Sequence, residues 1–174
     1  LTEVTFGANV RVLGGSTFSG CSKLAAITLP DGLAIIEASL LKGTAITSID
    51  IPDSVTEIKG TAFDGCKKLT AITLGGNIRT IAAGAFSGCT GVKEIVIPKT
   101  VINFTGTTPF KNWTAQQIIK FELDEWQVGS LYEFRWDDGC NATVQYGVGK
   151  TTESGTETGG ETGTGTEDQA QQAA

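Results

Sequence analysis

The stretch GTAFDGCKKLTAITLGGNI, residues 60–78, returns 23 residues later as GAFSGCTGVKEIVIPKTV and occurs earlier as STFSGCSKLAAITLPDGL. The apolar residues that open successive units lie at intervals of 23, 22, 23 and 23 residues: Leu1, Leu24, Ile46, Leu69 and Val92. Similarity at a fixed period of 20–50 residues is the signature of an array of stacked repeats. We therefore expect about five repeats of 22–24 residues.

Each unit begins with the pattern L-x-x-I-x-I, and in the third unit these positions are Ile46, Ile49 and Ile51. The alternation of the last two apolar residues predicts a short strand. Pro52 follows at once and ends it, because proline has no N–H for a strand ladder. A second apolar cluster in each unit predicts a second extended segment. The fold class predicted is a β-rich solenoid with short parallel strands.

The phrase A-F-x-G-C closes each unit and contributes one aromatic ring to the interior. We expect the rings to stack as a buried column of Phe18, Phe63, Phe86 and Phe110. The second unit is one residue short and reads ASLLKGTA, so our alignment places Leu40 and Gly43 where other units have Phe and Cys. Because no unit can bury its apolar side alone, the units must stack.

The full pattern is best kept in ITSIDIPDSVTEIKGTAFDGCKKL, residues 46–69, and resembles the BspA-like leucine-rich repeats of bacterial and protist surface proteins. The resemblance implies a leucine-rich repeat array over residues 1–112. The segment 113–150 contains all three tryptophans and resembles the C-terminal cap of such arrays. The resemblance also implies a cell-surface or extracellular location and adhesion to a host or matrix macromolecule.

Residues 151–174 are rich in Thr, Gly and Glu and have no side chain more apolar than alanine, which predicts a disordered linker or tail. Five of the 19 acidic residues lie there, leaving 14 against 13 basic residues in the rest of the chain. This near-neutral body has no basic footprint for nucleic acid. No run of about 18 apolar residues occurs, so we predict no direct membrane insertion by this fragment.

The sequence contains no histidine, which removes the commonest general base and metal ligand. None of the four cysteines forms a C-x-x-C pair, and three of them share one repeat position: Cys21, Cys66 and Cys89. We interpret these three as buried, reduced thiols that behave as small apolar side chains. Carboxylates in the cap, such as Glu122, are interpreted as a solvated surface. We therefore predict no catalytic residue, no metal and no cofactor.

The functional prediction is a non-catalytic module, secreted or at the cell surface, that binds a protein or matrix macromolecule. The alternative is a targeting or spacer module of a larger cell-wall-associated enzyme. Residues between the buried positions of each first strand should face outward and form two columns of small side chains. The candidate partner-binding face consists of Glu3, Thr5, Ala26, Thr28, Ser48, Asp50, Ala71, Thr73, Glu94 and Val96.

Overall fold

The computed structural model describes residues 1–106, 108–131 and 139–149, and the predicted tail at 151–174 lies outside the described residues. Eleven short strands and one helix are present in this part of the chain. They are β1 Glu3–Val4, β2 Ala26–Ile27, β3 Ile35–Ile36, β4 Ser48–Asp50, β5 Glu57–Ile58, β6 Ala71–Thr73, β7 Thr80–Ala82, β8 Glu94–Ile97, β9 Asn103–Thr105, β10 Ile118–Phe121, α1 Glu125–Leu131 and β11 Thr143–Gln145. The predicted β-solenoid is confirmed.

The strands lie on two sides of the coil, and every pair is parallel. One side, which we call the back face, is a continuous four-stranded sheet in the order β3-β5-β7-β9. The other side, the front face, contains the strand that opens each turn: β1, β2, β4, β6, β8, β10 and β11. Its pairs are β1 with β2, β4 with β6, β8 with β10, and β10 with β11.

The apolar residues of both strands in each turn point into one shared core. In the third turn, Ile49 on β4 and Ile58 on β5 are buried from opposite sides. Ser48 and Asp50, which flank Ile49, are exposed. This alternation is what a strand with one buried side requires.

The predicted aromatic column is present for Phe63, Phe86 and Phe110 along the third side of the coil, whereas Phe18 meets Phe6 edge-on. Phe63 and Phe86 are fully buried, and the rings of Phe86 and Phe110 stack with centroids 5.8 Å apart and an interplanar angle of 8°. The amide of Phe63 donates to the carbonyl of Ala85 in the next turn, at 2.8 Å. The turns on this side are therefore joined by both ring stacking and backbone hydrogen bonds.

The structure corrects our alignment of the second unit by one residue. Leu41, not Leu40, fills the Phe position, because the Thr44 amide donates to Leu41 just as the Cys66 amide donates to Phe63. Thr44, not Gly43, therefore replaces cysteine. The missing residue lies after Thr44, where one residue precedes Ile46 instead of two. A shortened turn after the buried column leaves the column itself in register.

The backbone conformation of the turn requires the glycine of the A-F-x-G-C phrase. This glycine has a positive φ in every turn where it is described: 74° at Gly20, 69° at Gly43, 72° at Gly65 and 66° at Gly88. Asn112 takes this position in the fifth turn with a φ of 69°. Glycine and asparagine are the residues that adopt this left-handed conformation at the lowest cost.

The cysteines form part of a buried polar column, but Cys21 departs from the prediction. Cys66 and Cys89 are buried, and their thiols donate to the carbonyls of Leu41 and Phe63, each at 3.1 Å. Cys21 is only partly buried, and among the described residues its turn has a neighbouring turn on one side. All four cysteines are free thiols.

The parallel ladder continues beyond residue 112. Trp113 takes the cysteine position of the fifth turn, is buried, and donates from Nε1 to the carbonyl of Phe86 at 2.9 Å. The segment 113–150, which we assigned to the cap, contributes β10 and β11 to the front face. Seven front strands are thus present against the five repeats expected. Trp136 lies outside the described residues.

Candidate functional site: the front face

All ten residues of the predicted partner-binding face are exposed in the structure. They form two columns, and paired strands set their register: Ser48 lies opposite Ala71, and Asp50 lies opposite Thr73. The side chains are short, so the face has few protrusions. Exposure and register are as the repeat pattern requires, and the binding role stays a prediction.

The columns are longer than the sequence pattern indicated, because β10 and β11 extend them by two residues each. Ile118 lies opposite Glu94 and Lys120 opposite Val96, and Thr143 and Gln145 follow on the next strand. Sequence reasoning missed these four because the residues after 112 no longer match the repeated phrase. The alternation in IIKF, where Ile119 and Phe121 are buried, was the available signal.

The charge on the front face is mixed. Acidic side chains occur at Glu3, Asp50 and Glu94. The Lys120 ammonium pairs with the Glu94 carboxylate at 2.7 Å and so links β8 to β10. An exposed pair of this kind contributes at most about 1 kcal/mol to stability. Its main effect is to neutralise part of the face.

The front face is split at two places, and a cleft lies at each split. The smaller cleft, about 200 Å³, lies between β2 and β4. The larger, about 440 Å³, lies between the ends of β6 and β8 and is lined by residues 72–74, 76, 96, 98–100 and 122. Within the described residues, no backbone hydrogen bond joins β6 to β8. The larger cleft therefore separates two strands that the period alone would place side by side.

Two glycines explain why the larger cleft opens. A Cβ on Gly75 would lie 2.5 Å from the carbonyl oxygen of Pro52, so glycine at this position allows the fourth turn to pack tightly onto the third. The Gly76 amide also donates to the Asp53 carboxylate at 2.7 Å. Both contacts hold the end of β6 close to the third turn.

The second glycine acts at the opposite end of the same strands. A Cβ on Gly91 would lie 2.6 Å from the carbonyl oxygen of Leu69, so the fifth turn approaches the fourth closely there. The turns thus converge before the strands begin and diverge where the strands end. The cleft is the space left at the divergent end.

The cleft has apolar walls and a few polar groups. Ile72, Val96 and Pro98 contribute apolar surface. Thr100 lines the cleft, and its hydroxyl oxygen is buried and has no hydrogen-bond partner within the described chain. Glu122 accepts from the backbone amide of Lys99 at 2.9 Å. One cationic and one anionic side chain line the cleft, so its formal charge is zero.

The described residues contain no group of three or more Cys, Asp or Glu side chains arranged to hold a metal ion. In the same part of the chain, no helix has the length and apolar character needed to cross a bilayer. Glu122, which we interpreted as part of a solvated surface, is partly buried at the rim of the cleft.

A family model described as the BspA type leucine rich repeat region matches residues 1–116 in six copies. The chain belongs to the BspA-type leucine-rich repeat family. The match covers two thirds of the sequence and agrees with the front and back strands described above. Membership in the BspA-type family was predicted from the repeated phrase and is confirmed. Among curated proteins, none matches this BspA-type chain.

Two solved structures are similar to this BspA-type chain. A leucine-rich repeat protein from Bacteroides ovatus is 25% identical, with a TM-score of 0.69 over 84% of this chain and 37% of that protein. A leucine rich cell surface protein from Faecalibacterium prausnitzii is 19% identical, with a TM-score of 0.46 over 90% of this chain and 64% of that protein. The chain therefore spans little more than a third of the length of the first.

Proposed function

We propose that the chain is a non-catalytic, cell-surface or secreted module that binds a protein or matrix macromolecule through its front face. What supports the proposal is the pair of outward columns, in which exposed or half-buried side chains, most of them small or polar, recur on seven parallel strands. Solenoid repeats commonly present such an extended surface to partners. Membership in the BspA-type leucine-rich repeat family agrees with display outside the cell.

The size of the front face sets the affinity that we expect. Seven strands at about 4.8 Å spacing give a length of roughly 34 Å, and a width near 12 Å gives an area on the order of 400 Å². A standard interface buries about 800 Å² on each partner. A single copy should therefore bind weakly, and adhesion should depend on many copies on one surface, since tethering raises the effective concentration.

The test compares binding to immobilised fibronectin, laminin and collagen by the wild type and a triple variant, Thr28→Lys, Asp50→Lys and Thr73→Lys. The proteins are displayed at high density on beads so that weak contacts add. The matched control places the same charge change on the back face: Glu57→Lys, Asn103→Lys and Thr105→Lys. We expect the front variant to lose adhesion and the control to keep it. Equal adhesion by wild type and front variant would exclude this face as the site.

A further inference from the structure

We infer that the cleft between β6 and β8 is a binding subsite for an uncharged, extended peptide segment of the partner. The inference rests on the proposed function and adds the place and chemical class of recognition. In the described chain, no backbone hydrogen bond joins the parallel strands β6 and β8. Neighbouring strands of the front face are otherwise paired by backbone hydrogen bonds, except β2 and β4.

The unpaired strand ends define what a ligand must offer. Main-chain N–H and C=O groups are strong hydrogen-bonding groups that need partners when they are removed from water. A peptide backbone carries donors and acceptors in the same alternation, and extended peptides commonly add to free strand edges. Thr100 lines the cleft, and its buried hydroxyl is a donor and acceptor without a partner among the described residues.

The lining defines which side chains such a segment should carry. Ile72, Leu74 and Val96 provide apolar walls, and among the described residues no aromatic ring lines the cleft on which a sugar ring could stack. A volume of about 440 Å³ lies within the range of ordinary ligand pockets. With one cationic and one anionic side chain at its rim, the cleft favours a segment of no net charge. Short β-branched residues such as valine and threonine fit these walls.

Two variants separate the cleft from the rest of the front face. Val96→Trp narrows the mouth of the cleft, and Gln145→Trp is its matched control, since Gln145 occupies the same column at the far end of the sheet. Thr100→Val replaces the hydroxyl with a methyl group of similar size. Because that hydroxyl is buried without a partner, this variant should fold at least as stably as the wild type while binding less well.

The probe is a phage-displayed library of random 12-residue peptides, panned against the whole chain. Selected peptides are then synthesised with blocked ends and measured by calorimetry. We expect uncharged sequences rich in valine and threonine, and binding that falls about tenfold in Val96→Trp, about fivefold in Thr100→Val, and less than twofold in Gln145→Trp. One hydrogen bond of about 1 kcal/mol accounts for the fivefold change.

Three outcomes of the peptide experiment would overturn the inference: no enriched peptide, enriched peptides that are strongly charged, or equal peptide binding by wild type and Val96→Trp. Binding of a neutral xylo-oligosaccharide at the cleft in place of peptide would overturn it as well. Matrix adhesion is measured in parallel. If adhesion is lost in the Thr28, Asp50 and Thr73 variant but unchanged in Val96→Trp, the front face stands as the site and only the cleft is excluded.

Discussion

The rings of Phe63 and Phe86 lie nearly parallel, 5.3 Å apart between centroids and inclined by 5°, although 23 residues separate them in the chain. Offset stacking at this separation contributes about 0.5–1.5 kcal/mol beyond the burial of the rings. Such contacts hold the third, fourth and fifth turns together through Phe63, Phe86 and Phe110.

Phe86→Ala should therefore cost more stability than Phe18→Ala. Phe86 is fully buried between two stacked rings, whereas Phe18 is 8% exposed and meets Phe6 edge-on at 6.1 Å. We expect Phe86→Ala to lower the free energy of unfolding by about 3–5 kcal/mol, the usual range for a buried aromatic residue. Urea titrations of both variants measure the difference. Equal losses would mean that the column does not carry the stability assigned to it.

Alanine at Gly65 and at Gly129 should have effects of opposite sign. Gly65 has a φ of 72°, where a Cβ costs roughly 1–2 kcal/mol, so Gly65→Ala should destabilise the protein. Gly129 lies within α1, and a Cβ there would meet nothing within 4 Å. Gly129→Ala should gain about 0.5–1 kcal/mol, because alanine loses less backbone entropy in a helix. Thermal melting distinguishes the two, and a gain at Gly65 would contradict the left-handed assignment.

Stability should fall as the pH rises above about 8.5, the ordinary pKa of a cysteine thiol in an unfolded chain. Contact with the Cys66 thiol and burial together raise the pKa of Cys89, so the folded state keeps this proton while the unfolded state loses it. The contribution is complete below pH 8.5 and decreases by up to about 1.4 kcal/mol per pH unit above it. Urea titrations between pH 7.5 and 9.5 measure this slope.

Cys89→Ala supplies the comparison for the pH dependence. Removing the thiol removes the group whose pKa differs between the two states, so the slope above pH 8.5 should decrease in this variant. The variant will also be less stable at pH 7.5, since it leaves a small cavity. The two effects are separable because only the first depends on pH. An unchanged slope would assign the pH dependence to other groups.

Trp113→Phe should destabilise the protein by about 1–3 kcal/mol, since it removes both volume and the Nε1–H bond to the Phe86 carbonyl. Trp126 provides the matched control because it is 72% exposed on α1. We expect Trp126→Phe to stay within about 0.5 kcal/mol of wild type. Guanidinium unfolding followed by circular dichroism avoids dependence on tryptophan fluorescence. Similar losses in both variants would contradict the role given to Trp113.

The outward direction of the candidate face followed from the sequence alone. Once Ile49 and Ile51 are assigned to the interior, the pleat of a strand sends Ser48 and Asp50 to the surface whatever the neighbouring turns do. The left-handed conformation of glycines such as Gly65 is equally predictable from the sequence, because the phrase F-x-G-C repeats the same local turn. These features depend on residues within a few positions of one another, so the period is enough to predict them.

Other features depend on how one turn packs on the next, about 23 residues away in the chain, and only the tertiary structure decided them. The position of the missing residue in the second unit followed from the hydrogen bond between Thr44 and Leu41, since either leucine of ASLLKGTA satisfies the apolar pattern. The cleft between β6 and β8 depends on the close approach of Gly75 to Pro52 and of Gly91 to Leu69. A repeat sequence specifies each turn through local dihedral angles and burial. The tilt between turns is set by backbone contacts between them, and the repeat period does not determine these contacts.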